Sequence, residues 1–256
     1  MADPHLKLPR TYQRNVSLDQ SLGSSQSLSF SYVGALGRKL LRTTNLFNPN
    51  PDFIFVYLTS NTATSDYHAL QLKYQRRLSR GLQVLASYSF SHSIDIASTD
   101  AIANYLSAPG GSGYQSVDRG NSYFDIRHSF TGGVTYDLPA PGSQKAVRAA
   151  LAGWSLDSFI LARSGPPVNV VGAISFASGT ALSYRPNLNP GVLLELFGSQ
   201  YPGGKIFNSA AFSAPPAGQQ GDFGRNVLRG FGATQFDIAL QRQFHITENV
   251  GASFPS

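Results

Sequence analysis

Residues 121–138 read NSYFDIRHSFTGGVTYDL. Phe124, Ile126, His128, Phe130, Gly132, Val134, Tyr136 and Leu138 occupy the even positions and are mostly apolar. Asp125, Arg127, Ser129, Thr131, Gly133, Thr135 and Asp137 occupy the odd positions and are polar or glycine. A period of two places successive side chains on opposite faces, so the stretch predicts one long β-strand. Tilted strands of about 9–11 residues cross the hydrocarbon layer of a bilayer, and this run is longer than that.

Working outward, the same alternation recurs. Over 12–22, Val16, Leu18 and Leu22 oppose Asn15, Ser17 and Asp19. After the turn residues Gly23-Ser24-Ser25, the stretch 26–36 sets Leu28, Phe30, Tyr32 and Leu36 against Ser27, Ser29 and Ser31, which predicts a hairpin. A second hairpin is expected over 67–78 and 82–93, turning at Ser79-Arg80-Gly81, with Leu85 out of pattern. Further strands are expected at 154–163, with Val168 to Val171 as a continuation, and from Thr234 to Phe244. The segments 45–66, 95–121 and 172–231 are rich in turn residues and predict long loops. A short strand at 53–58 and short helices at Gln144–Leu151 and Val192–Phe197 are expected within the connections.

Composition narrows the class. Only 13% of the 256 residues are charged, while Gly (25), Tyr (12) and Phe (17) are plentiful. Soluble domains average about 25% charged residues. Low charge, many aromatics and no long apolar run suit a barrel wall with one lipid face and one polar face, and equally a secreted β-sandwich. Three features favour the barrel. The strands are longer than the common length of about 5–6 residues. Short turns alternate with long loops. Aromatic residues recur near strand ends at Tyr12, Tyr67, Phe90, Tyr123, Tyr136, Trp154 and Phe244, as interfacial girdles do. The expected fold is all-β: an antiparallel transmembrane β-barrel segment, a partial barrel forming an open curved sheet with long extracellular loops. The alternative is a soluble secreted β-sandwich acting as a binding or adhesion module.

The net charge of +6 comes from scattered Lys and Arg, so no nucleic-acid partner is expected. There is no Cys and therefore no disulfide framework or thiolate metal site. His92 and His128 fall near one another in the expected hairpin order, but two ligands do not make a metal site. Gly110-Gly111-Ser112-Gly113 lacks the Lys-Ser/Thr and helix of a phosphate loop and reads as a loop tip. No nucleophile-elbow pattern occurs with a supporting acid and base. No catalytic residue, metal or cofactor is expected. The candidate site is a polar cluster lining the lumen at a strand mouth: Asp118, Arg119, Asp125 and Arg127. A lumen face is polar by default, so mutual satisfaction of these charges is the favoured role and ligand or plug contact the other.

The runs SDYHALQLKYQRRLSRGLQVLASYSFSHSID (65–95), DRGNSYFDIRHSFTGGVTYDLP (118–139), RPNLNPG (185–191), KIFNSAAFSAPPAGQQGDFGRNVLRG (205–230) and FDIALQRQFHIT (236–247) resemble TonB-dependent outer-membrane receptors of the Oar-like type. The resemblance covers nearly the whole chain through the order and spacing of these runs. It implies a large barrel of about 22 strands with a plug in its lumen. It implies outer-membrane lipid around the wall, a TonB-type energy-coupling protein as partner of the full-length parent, and a scarce substrate whose identity it does not give. Residues 1–256 then correspond to part of the barrel domain. The opening MADPHLKLPR has no signal-peptide core, and no stretch matches a plug, so an incomplete chain is expected.

Overall fold

The computed structural model describes residues 1–98, 118–139, 152–175, 181–216, 219–247 and 250–255. Eight strands follow one another across one antiparallel sheet: β1 (Arg10–Ser21), β2 (Gln26–Asn50), β3 (Phe53–Ser79), β4 (Leu82–Asp95), β6 (His128–Asp137), β7 (Trp154–Arg163), β16 (Ala233–Thr247) and β17 (Val250–Pro255). The two-residue β5 (Gly120–Asn121) pairs with the end of β4. Among the described residues no ladder joins β1 to β17, so the sheet is open.

Register explains why the alternation matters. Leu18, Phe30, Leu72, Tyr88, Phe130 and Ala162 are successive cross-strand partners from β1 to β7. The adjacent row is Ser17, Ser31, Gln71, Ser89, Ser129 and Arg163. One face is thus mainly apolar and the other mainly polar from β1 to β7. Leu18 is 65% exposed and Phe236 56%, so no second sheet covers the apolar face. On β7 the apolar row runs from Leu156 to Ala162, and on β16 from Phe236 to Leu240. These rows run about 20 and 14 Å along their strands. The sandwich alternative, which needs this face buried, does not describe the molecule. Leu85 lies on the polar face between Gln75 and Gly133, which accounts for its break in pattern.

Four expectations are corrected. The strand predicted over 121–138 begins only at His128. Upstream, the Asp125 amide donates to the Ser122 carbonyl at 3.0 Å, and Asp125 Oδ1 accepts the Ser93 amide at 2.6 Å. Short polar side chains here replace the ladder with local backbone bonds. The loop predicted over 45–66 is instead a tall hairpin, since β2 and β3 run 25 and 27 residues with only Pro51-Asp52 between them. Its prolines are confined to the tip, where a missing amide costs little.

The described part of 172–231 is neither structureless nor helical at Val192–Phe197. It forms short antiparallel pairs: β9 (Gly172–Ser175) with β10 (Ala181–Tyr184), β11 (Asn187–Leu188) with β14 (Phe212–Ser213), and β12 (Glu195–Phe197) with β13 (Lys205–Phe207). The apolar run VLLELF is compatible with either structure, and Lys205 Nζ bonding Glu195 Oε1 at 2.8 Å ties it as a strand pair. Just upstream, the strand expected to resume at 168–171 is only β8 (Pro167–Val168), which leaves the wall to pair with β15 (Leu228–Arg229). The expected helix at 144–151, the loop tip at 110–113 and most of the 95–121 loop lie outside the described residues.

Fourth, the aromatic set divides. Tyr12, Phe90, Tyr136 and Trp154 share the apolar face. Tyr67 lies between Ala35 and Ser93 on the other face, and Tyr123 sits in the turn before β6.

Candidate functional site

Above the apolar band, the polar face is covered by residues 118–127 and by the segment 164–232, together called the cap below. The site lies between sheet and cap. Its formation begins with a register shift in the tall hairpin after Gly37, where three steps on β2 oppose two on β3. There Gly37 leaves room for the Ser65 and Leu40 side chains, which a Cβ would crowd. Each extra residue in a bulge moves the following side chains to the other face. Arg42 is thereby turned onto the covered side, where it is 5% exposed.

Asp118, 1% exposed, stands between two guanidiniums. Arg42 Nη2 donates to its Oδ2, and Arg185 Nη2 to its Oδ1 at 3.3 Å. Arg185 Nη1 also reaches Asn169 Oδ1 at 3.4 Å, and Asn169 Nδ2 donates to the Tyr123 hydroxyl at 3.1 Å. Burial pulls the Arg185 guanidinium below its ordinary pKa. The charge and hydrogen bond of Asp118 oppose that shift, and the neighbouring Arg225 adds to it.

Arg225 forms a second knot. Its Nη2 donates to the Asp95 carbonyl at 2.7 Å and to the Asp95 carboxylate. Its guanidinium lies 5.9 Å from the centre of the Tyr123 ring. Ser98 Oγ donates to both Asp95 oxygens, at 2.9 and 2.8 Å. Beside it, Asn121 and Asn226 exchange amide-to-carbonyl bonds of 2.9 and 2.7 Å, which fasten the two parts of the cap to each other.

Asp125 centres the third knot. Arg127 Nε donates to it at 3.0 Å, Arg229 Nη2 donates to its Oδ2, and Arg229 Nη1 donates to its backbone carbonyl at 2.6 Å. A small apolar patch backs these polar groups, with Ala211, Phe223 and Leu228 buried and Phe212 edge-on to Phe223 at 5.0 Å.

The four residues singled out in sequence are therefore not one cluster. Asp118 and Asp125 centre separate buried knots, Arg127 attends Asp125, and Arg119 reaches out to Asp66 at the exposed rim. Sequence reasoning missed Arg42, Asp95, Arg185, Arg225 and Arg229. Their signal was faint: Arg185, Arg225 and Arg229 each follow or precede Pro, Gly or Asn in turn-rich runs. His92 and His128 take different partners, Asn121 Oδ1 at 3.0 Å and the Tyr88 hydroxyl at 2.7 Å. Among the described residues, no group of three or more His, Asp or Glu is placed to hold a metal. The arrangement fastens a folded cap onto the polar face by charge-assisted hydrogen bonds.

Residues 1–254 match the family model described as outer membrane beta barrel domain. Among solved structures, the outer membrane transporter YddB from Escherichia coli is similar, with a TM-score of 0.49 and 10% identity. That likeness covers 96% of this chain and 27% of the transporter, so the chain spans about a quarter of that protein's length. No curated protein matches in sequence.

Proposed function

The chain belongs to the outer membrane beta barrel domain family, and from that premise we propose that it is wall and outer cap of a TonB-dependent receptor of the Oar-like type. In the full-length parent, a plug domain would fill the lumen and a TonB-type protein would relay energy for uptake of a scarce substrate. The chain itself would carry no catalytic step. The supporting observation is the cap. A segment of the outer-end connections is folded over the polar face by buried Asp118, Asp125, Arg185 and Arg225, rather than left as loose surface loop. A receptor needs a shaped surface at its mouth, and pre-organised loops supply one at low entropic cost.

Uptake by cells carrying the full-length parent tests this reading. Accumulation of the substrate should stop when the energy-coupling protein is deleted and persist when only passive porins are removed. Equal uptake without energy coupling would instead make the wall that of a passive channel.

A further inference from the structure

We propose that residues 57–61 of β3 form a docking edge for an extended polypeptide segment, read through that segment's backbone, and that residues 1–7 are the chain's own occupant of it. The inference goes beyond the receptor reading and does not depend on it.

The edge exists because the tall hairpin outruns its neighbour. β4 ends at Asp95, opposite Ser65, while β2 and β3 stay paired from Leu40–Ala63 to Phe47–Phe55. In an antiparallel ladder every second residue turns its amide and carbonyl away from its partner. Thr59, opposite Thr43, does so. Among the described residues, the strand neighbour it meets there is the start of the chain, in a parallel bridge centred on Ala2. The Thr59 amide donates to the Met1 carbonyl and the Asp3 amide to the Thr59 carbonyl, both at 2.9 Å. Tyr57 continues the edge: its carbonyl accepts from Met1 N at 2.8 Å, and its side chain is 57% exposed.

Asn61 adds a second grip. Three steps on β3 from Ser60 to Ala63 oppose two on β2 from Arg42 to Leu40, and the extra residue frees Asn61 from the ladder. Its Oδ1 accepts the Lys7 amide, and its Nδ2 donates to the Lys7 carbonyl at 2.8 Å. The second Nδ2 hydrogen goes to the Lys39 carbonyl at 2.7 Å, which fixes the orientation of the side-chain amide. One side chain thus holds both backbone groups of a single residue, whatever that residue is.

The occupant shows what the edge selects. Every bond from residues 1–7 to the hairpin is made by their backbone. Met1 is 84% exposed and Leu8 85%, so the side chains add little. Pro4, which has no amide to give, falls between the two grips. A segment held without apolar burial opens at low cost. Its place suits any extended chain that offers amides at the two donating positions, as in other strand additions.

The test titrates the full chain in detergent micelles with a fluorescent peptide of residues 1–8, MADPHLKL. Asp3→Pro/Lys7→Pro in the chain withdraws both donors of its own segment and frees the edge. This double variant should bind the peptide about fivefold more tightly than the parent, whose tethered segment competes at roughly millimolar effective concentration. A peptide N-methylated at Lys7 should lose about fivefold, the effect of one hydrogen bond. A peptide carrying Asp3→Ser and Lys7→Thr should stay within about twofold, because its backbone is unchanged. Adding Asn61→Ala to the double variant should weaken binding about tenfold through two lost bonds. A double variant that binds no better than the parent overturns the docking edge. A side-chain-altered peptide that loses as much as the N-methylated one overturns the backbone reading. The two peptides are compared on one and the same chain, so that comparison decides the matter even where Asn61→Ala misfolds.

Discussion

The wall formed by β6, β7 and β16 and the cap that lies over the polar face are held by opposite means. In the wall, neighbouring strands pair in unbroken register from Ser129–Arg163 to Asp137–Ser155, and apolar side chains face outward. In the cap, the largest fully buried side chains include Arg185, Arg225, Asn226, Asp118 and Asp125. The wall therefore depends on its surroundings to satisfy its apolar face. The cap is fastened by buried charges that it shares with the sheet, Asp118 with Arg42 and Arg225 with Asp95, where each removal leaves a partner stranded.

The largest test of that contrast is Asp118→Ala. It leaves Arg42 and Arg185 buried without their carboxylate, and truncating one partner of a buried pair costs about 3–5 kcal/mol. Limited proteolysis should show the 164–232 segment cut first, with the β6–β7–β16 ladder still protected. Simultaneous loss of both regions would mean they fold as one unit. The wall has its own break point. Phe236→Arg places a guanidinium on the outward face and should destabilise the vesicle-inserted chain by about 2–4 kcal/mol in urea titration. Thr131→Arg, on the polar face, should change the same titration by less than about 1 kcal/mol. Equal costs at both positions would remove the distinction between the faces.

The two regions also differ in how far sequence alone reaches them. Trp154–Arg163 was readable to its bounds although its alternation is weak, with Phe159 and Leu161 on the polar face, because even a weak alternation is a local signal. The cap is tied by contacts between distant segments: Arg42 to Asp118 spans 76 residues, and Arg225 to Asp95 spans 130. No local pattern carries such pairings. The same limit explains the tall hairpin, where one extra residue in β2 between Gly37 and Leu40 inverts the facing and a parity count misplaces Arg42. Of the candidate site, the acidic centres Asp118 and Asp125 were legible, since carboxylates beside arginines stand out in a chain so poor in charge. Arg42, Arg185 and Arg225, which give those acids and Asp95 their setting, were not.

Within the cap, burial should grade the cost. Asp125→Asn keeps the shape of the side chain and its bond from Ser93, but removes the charge facing Arg127 and Arg229. Those arginines are 28% and 25% exposed, so water relieves part of the loss, and about 1–3 kcal/mol is expected from urea unfolding. The smallest effect belongs to the rim. Arg38 and Arg119 are 39% and 43% exposed where they share Asp66, and exposed pairs contribute about 0–1 kcal/mol. Asp66→Asn should therefore leave the unfolding midpoint nearly unmoved. A stability loss as large as that of Asp118→Ala would place Asp66 among the buried knots and erase the boundary between cap and rim.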